Sequence, residues 1–399
     1  MHTRRTRSLG EKLATAFGAL ALAAAAGCAA ALSGCTKIPP APRPYLAFVA
    51  NRDSNTVAVV NLASFRVTAS IAVPPRPLRL VARPGSRELY VLSSSGSLST
   101  IGYAKLQVMA TLPVGRDATA LAITADGRLA AAANGVGGEI VLVDCATRSI
   151  AGRVRTGGDI SALIFTPDGK TLVASDRARD RLIFIDASAR KPLGEVTVGK
   201  APGALAVLPD GSKLFVADTG EAKISAVDVG SRQLLSNIEI GSNPDNLVLK
   251  PDGGELFALS RDSATLTILD AFHDDVEQEM PTGQGSVAAV PTRDSLRLYV
   301  LNSGAHSGGG SVESIDLENR SLPSTVVSTP MGRSPAALAL TPDERFVLVA
   351  DAGGSRLGVL GTAALNPKSK TPGSRLPLIT MIPVGAGPID VAVPDWLGR

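Results

Sequence analysis

Few of the residues that build catalytic and cofactor sites occur in this chain. Its 399 residues include 3 cysteines, 3 histidines and 1 tryptophan, and aromatic side chains make up 4% of the total. Cys28, Cys35 and His2 fall near the N-terminus, so Cys145 is the last cysteine left in the body of the chain. An intrachain disulfide there is excluded. His273 and His306 have no second histidine at ligand spacing, and no Cys-x-x-Cys-His occurs; neither a metal site nor a bound cofactor is expected. Trp396 stands at the C-terminal end, which argues against a carbohydrate site of stacked rings. No Gly-x-Ser-x-Gly elbow or phosphate loop survives its context test. After the N-terminal region, no segment of any length places apolar residues at helical spacing.

The N-terminus carries the first positive signal. Arg4, Arg5, Arg7 and Lys12 precede residues 13–32, which are almost entirely Ala, Leu, Gly and Phe. This stretch is slightly long for a signal peptide and too short and alanine-rich for a typical membrane span. Leu32-Ser33-Gly34-Cys35 closes it and resembles the lipobox of bacterial lipoproteins. The resemblance implies lipidation of Cys35 as the mature N-terminus. Cys28 also follows small residues, Ala25-Ala26-Gly27, but lacks a leucine three positions before it. Residues 1–34 are thus read as signal, 35–44 as a proline-rich, extended linker, and 45–399 as the folded domain. Thr36 replaces the aspartate that favours inner-membrane retention in such proteins. The expectation is an envelope lipoprotein facing the periplasm, with the outer membrane favoured over the inner. Most of the net charge of +4 leaves with the signal, so nucleic-acid binding is not expected.

The rest of the chain is a repeat. Ala125-Asp126-Gly127, Pro167-Asp168-Gly169, Pro209-Asp210-Gly211 and Pro251-Asp252-Gly253 recur every 42 residues. Pro sets φ, Asp bonds its local backbone and Gly accepts positive φ, so each run is a tight turn between apolar strands. The strand after each turn ends at Asn51, Ser93, Asn134, Asp176, Asp218, Ser260, Asn302 and Asp351. A third strand often closes on aspartate, at Asp144, Asp186, Asp228, Asp270 and Asp316, and a fourth runs to a glycine such as Gly157 or Gly199. Four short strands in about 42 residues make a β-propeller blade. The first unit, from Tyr45, lacks an innermost strand, and Pro388–Val393 is an innermost strand without a blade. Joined, they give an all-β propeller of eight four-stranded blades, closed by both chain ends. A seven-bladed ring would require one unit to be discarded.

The pattern Pro-Asp-Gly-x-x-Leu-(Phe/Val)-Val-Ala-(Asp/Asn), followed by strands ending Ile-Asp and Val-Gly, resembles the bacterial YVTN-repeat, YncE-like propellers. The resemblance covers residues 45–393 and rests on turn and core positions. It implies an extracytoplasmic scaffold and carries little about activity. The chain departs from the pattern at the glycine-rich loop around His306 and at residues 366–373, which are both longer than their counterparts.

A ligand is expected on the face where the chain crosses from one blade to the next. Arg76, Arg116, Lys200 and Arg333 fall at these crossings with Asp117, Asp159 and Asn243, and His306 lies in the glycine-rich loop. Converging arginines suit a carboxylate or phosphate. The opposing reading is that these charges are solvated and paired with Asp53, Asp117, Asp159, Asp180 and Asp262. The expected function is a non-enzymatic, monomeric binding scaffold for a small anion or an envelope protein. The alternative, by analogy with related propellers, is a periplasmic dehydrogenase-like, lactonase-like or redox-associated protein. No catalytic residue is assigned. Cys145 is read as a small core residue, His273 as a solvated turn residue, and the recurrent aspartates as turn caps and not Ca²⁺ ligands.

Overall fold

A computed structural model describes residues 45–304, 309–318, 326–362 and 376–395. Cys35 with its lipobox, the linker, His306, Trp396 and the segment 366–373 lie outside the described residues. Every regular element among the described residues is a strand. The strands form eight antiparallel sheets of four, arranged as a β-propeller.

Blades one to seven follow chain order, with innermost strands beginning at Pro77, Ala118, Ile160, Pro202, Asn246, Ser286 and Pro335. The eighth is the composite. Its innermost strand is Pro388–Ala392, and Leu46–Asn51, Thr56–Asn61 and Arg66–Ala72 follow outward. The closure pairs Val49 with Val391 and Ala50 with Asp390. The expected eight blades and their seam are therefore present. The eight second strands end on the residues named from the sequence. Outermost strands stop one or two residues short of the marker glycines, as Arg155 does before Gly157.

The middle strands read as unbroken apolar runs because both faces of each sheet are buried. Alternating side chains serve different interfaces. Ala47 and Val49 pack toward blade seven with Leu348 and Leu357, whereas Phe48 and Ala50 pack toward blade one with Leu89 and Ile101. The same division recurs around the ring, giving one hydrophobic cluster for each of the eight blade interfaces. Each fully buried side chain of this size contributes about 1.5–3 kcal/mol.

The turns show why aspartate recurs. In Thr166-Pro167-Asp168-Gly169, Thr166 Oγ1 donates to Asp168 Oδ1 at 2.6 Å, and the Thr171 N–H donates back to Thr166 Oγ1 at 3.1 Å. Thr124, Thr292 and Thr341 repeat the arrangement. Gly169 takes φ 70° to complete the turn. The aspartates closing the third strands accept N–H groups two or three residues on, as Asp144 does from Ala146 and Thr147 and Asp186 from Ser188 and Ala189. These bonds hold the Asp144 carboxyl below its usual range, so backbone capping accounts for the repeat. Among the described residues, no group of three His, Cys, Asp or Glu side chains could hold a metal ion.

Charged staples join some blades on the turn side. Glu88, buried in blade one, accepts from Arg83 at 2.7 Å and from Arg148 of blade two. In blade four, Lys213 reaches the carbonyls of Ala271 and Phe272 and the Asp274 carboxylate of blade five. Cys145 is fully buried and its thiol is pushed up by burial, the opposite of a reactive thiolate. His273 is exposed, and its Nδ1 bonds Asp270 Oδ2 at 2.7 Å within a turn.

Candidate functional site

The crossings and the second-to-third loops share one face because they bond each other. The residue after a second strand donates its N–H to the carbonyl just before the innermost strand. Ser94 donates to Arg76 at 2.9 Å, Gly135 to Asp117 at 3.0 Å, and Arg177 to Asp159 at 2.9 Å. Thr219, Ser303 and Arg52 do the same to Ala201, Gly285 and Gly387. The acceptors Arg76, Asp117 and Ala201 all have positive φ, between 51° and 60°, as do Gly285 and Gly387. A conformation repeated in so many blades, glycines included, is a demand of the crossing and not local strain at a site.

The sequence candidates of the described residues sit on this face, and several are held by bonds to the blades they join. Arg76 N–H donates to Asn55 Oδ1, Lys200 N–H to Glu221 Oε1, and Arg333 N–H to Asp351 Oδ1. Asp159 N–H donates to Asp176 Oδ1, and Asn243 Nδ2 reaches the Thr219 carbonyl at 3.4 Å. The side chains of Arg76, Arg116, Lys200 and Arg333 are exposed and make no ion pair among the described residues. Asp53 instead pairs with Arg52, and Asp180 accepts the Ala201 N–H.

None of these candidates lines the concavity at the crossing-face end of the central channel. That cavity measures about 530 Å³ and is walled by blades five, six, seven, eight and one. Its polar residues are Arg79, Asp390, Asn246, Arg261 and Ser303, and its apolar wall includes Leu78, Val287, Leu338 and Ile389. The volume suits a small molecule.

A β-bulge near the start of the innermost strands places these residues. In blade one, pairing skips from Pro77 to Arg79, leaving Leu78 as the extra residue, and the same skip occurs in blades two, three, six, seven and eight. Bulges re-aim side chains at the rims of closed sheets. Here both the bulged residue and the next one line the cavity, as Leu78 with Arg79 and Ile389 with Asp390. The residue after the bulge is alanine in five blades: Ala120, Ala162, Ala204, Ala288 and Ala337. Arg79, Asn246 and Asp390 take that place in the other three. Sequence reasoning missed Arg79 and Asp390, although aligning the repeats at this position would have exposed them. In an eight-membered ring blade five stands across from blade one; the Asn246 amide there donates to the Val287 carbonyl of blade six at 3.2 Å.

Charge in the cavity is unevenly satisfied. Asp390 keeps some solvent contact along the channel but is otherwise surrounded by protein. Its Oδ2 accepts the Leu80 N–H at 2.8 Å and its Oδ1 the Val391 N–H at 2.9 Å. Burial pushes its carboxyl up, against the pull of the Arg79 charge and of these two donors. No cation lies within ion-pair distance of it among the described residues. Neighbouring blades meet this seam differently: Thr119 and Ser161 donate to the carbonyls of Ile160 and Pro202 of the next blade. The guanidinium groups of Arg79 and Arg261 are exposed to the cavity and likewise without an ion pair among the described residues.

Comparisons with known proteins place the architecture. No protein family and no curated protein matches the sequence. Many solved structures share the fold. The dihydro-heme d1 dehydrogenase NirN in complex with DHE aligns over 90% of this chain and 78% of its own, with a TM-score of 0.73 and 16% identity. Hydrazine synthase of Kuenenia stuttgartiensis aligns over 70% of this chain and 93% of its own, at TM-score 0.57 and 19% identity. A functionally unknown protein from Desulfotomaculum acetoxidans covers 88% of this chain and 98% of its own, at TM-score 0.58 and 12% identity. At such identities the likeness is one of fold alone, and the chain is an eight-bladed β-propeller by its own strand pairing.

Proposed function

We propose that this protein is a binding propeller of the bacterial envelope, tethered through lipidated Cys35, that takes a small organic anion at the crossing-face mouth of its channel. One observation carries the reading: two guanidinium groups without an ion pair among the described residues, Arg79 and Arg261, line one cavity of about 530 Å³ together with apolar side chains such as Leu78, Val287, Leu338 and Ile389. A guanidinium presents paired donors that match a carboxylate, and such charge-assisted bonds are the stronger kind. Asn246 and Ser303 add neutral polar groups to the same wall. The YncE-like resemblance supports an extracytoplasmic setting, and the lipobox supports the tether. Metabolic labelling with a radioactive fatty acid checks the tether: label is expected in the protein and absent from Cys35→Ser, and label retained in that variant would move the acceptor to Cys28.

The binding test is calorimetric titration of the purified protein with small carboxylates. Replacing Arg79 and Arg261 together by Ala should weaken the tightest binder by more than tenfold, about 1.4 kcal/mol. The melting temperature should barely change, because neither guanidinium makes an ion pair among the described residues. The difference should shrink as salt rises. Replacing Arg76 and Arg333 instead should have a smaller effect. A large loss confined to that second pair would place the site in the loops and end the channel reading. The rival reading, a propeller enzyme or redox subunit, finds no His, Cys, Glu or Tyr among the residues lining the cavity. A haem or quinone absorption band in freshly isolated protein would favour it.

A further inference from the structure

The cavity holds a base and an acid side by side, each without an ion pair among the described residues. Arg79 and Asp390 occupy the same register position in adjacent blades. Asp390 Oδ2 bonds the main chain of Leu80, the residue next to Arg79. The carboxylate thus stands within a few ångströms of the root of the Arg79 side chain, yet the two groups make no ion pair. Arg79 thus acts on Asp390 through its charge but not through a direct contact, and both groups keep bonding capacity for a ligand in the cavity.

A simple anion would satisfy Arg79 and leave Asp390 worse off, since a second negative charge would enter beside it. A ligand bearing both signs on neighbouring atoms satisfies both. Its carboxylate would meet Arg79, with Arg261 also lining the cavity, and its ammonium would meet Asp390. The backbone donors use one lone pair on each Asp390 oxygen, which leaves acceptor capacity for a ligand N–H. The rest of the ligand would lie against Leu78, Val287, Leu338 and Ile389. We propose that the channel site takes an α-amino acid with an apolar side chain, its carboxylate held by Arg79 and its ammonium by Asp390. This rests on the reading of the cavity as an anion site and narrows it.

The same register position has a structural use in blade five, where Asn246 Nδ2 donates to the Val287 carbonyl of blade six. A joint at Asp390 needs an acceptor for the Leu80 N–H, which the single oxygen of an asparagine supplies at the cost of the Val391 N–H contact. Charge at Asp390 matters only for a charged or strongly donating ligand.

The test uses a matched six-carbon set on the purified full-length protein: hexanoate, 2-hydroxyhexanoate, norleucine and hexylamine. By calorimetry, norleucine should bind more than tenfold tighter than hexanoate, with 2-hydroxyhexanoate between them and hexylamine weakest. Asp390→Asn should bring norleucine down to the hexanoate level while hexanoate holds or gains, with a cooperative melt showing that the fold is kept. Arg79→Ala should weaken both. The comparison of norleucine with hexanoate on the unaltered protein needs no variant, so a folding defect in Asp390→Asn does not blunt it. Equal affinity for norleucine and hexanoate, with loss of both in Arg79→Ala, would overturn the amino-acid proposal and leave the anion site standing. Failure of the whole set to bind would overturn both.

Discussion

Deleting residues 388–399 should leave a chain that no longer melts cooperatively and that aggregates. The deletion removes the innermost strand of the composite blade, which pairs with Leu46–Asn51 from Phe48 to Asn51. Val391 sits in the cluster between blades seven and eight with Ala337, Leu348 and Ala350. Ile389 and Ala392 pack against the next cluster, beside Phe48 and Leu80. Loss of Val391 and Ile389 alone forfeits about 1.5–3 kcal/mol for each side chain so far as it is buried. The larger effect is topological. The ring opens at its one seam, the Leu46–Asn51 edge faces solvent, and unpaired edges recruit other chains. Differential scanning calorimetry with light scattering measures the outcome. A soluble truncation with a single sharp transition would show that seven blades close without the eighth.

Asp218→Asn should make the protein more stable at pH 8 and change little at pH 4. Asp218 ends the second strand of blade four and is fully buried. Ser225 donates to its Oδ2 at 2.8 Å, while Oδ1 has no hydrogen-bond partner among the described residues. Its counterpart Asp176 has Arg181 at 2.9 Å and the Asp159 N–H, and Asp351 has the N–H groups of Arg333 and Gly354. Burial, with the nearby Glu221 charge, pushes the Asp218 carboxyl up to about 7. In the unfolded chain an aspartate titrates near 4, so between about pH 4 and 7 the folded state binds more protons than the unfolded one. Stability contributed by this group is therefore present below pH 4, falls as pH rises through that window, and is fully lost above 7. About three pH units at 1.36 kcal/mol each set an upper bound near 4 kcal/mol, and roughly 2–4 kcal/mol is expected. Asparagine already stands at this place in three blades, at Asn51, Asn134 and Asn302, so the backbone accepts it. Thermal melts at pH 4 and 8 decide the matter: the variant's gain should appear only at the higher pH, and equal gains at both would remove the titration as the cause.

Much of the fold was legible because the constraints are local and repeated. A Thr-Pro-Asp-Gly turn fixes its own geometry through bonds within five residues, whatever surrounds it. Middle strands buried on both faces are mostly apolar, with a few buried polar residues such as Ser175 and Thr267, so they announce themselves as runs. Counting those units gave eight blades, and the missing innermost strand at Tyr45 matched the surplus one at Pro388. The small departures have equally local causes. Blade five starts its innermost strand late, at Asn246, because Asn243-Pro244-Asp245 intervenes and Asp245 turns its carboxylate to the Arg261 N–H.

The candidate site was only half legible. Loop chemistry assigned the crossings and the second-to-third loops to one face, since antiparallel succession alone sorts the loops between two ends. The arginines it named do not line the cavity on that face. Arg76, Arg116, Lys200 and Arg333 lie in the crossings before the innermost strands, where the main chains of Arg76, Lys200 and Arg333 bond side chains of the second-to-third loops or strand ends. Arg79 and Asp390 lie instead inside short innermost strands whose residues read as core.

The sequence by itself determined the number of blades, the strand ends, the turn chemistry and the seam, because each depends on residues close together in the chain or on a pattern repeated around the ring. Tertiary structure alone decided which charges share a space. Arg79 and Asp390 are separated by most of the chain and become neighbours only when the two chain ends close the propeller. The bulge at the start of each of these innermost strands brings both the bulged residue and the next one to the cavity wall.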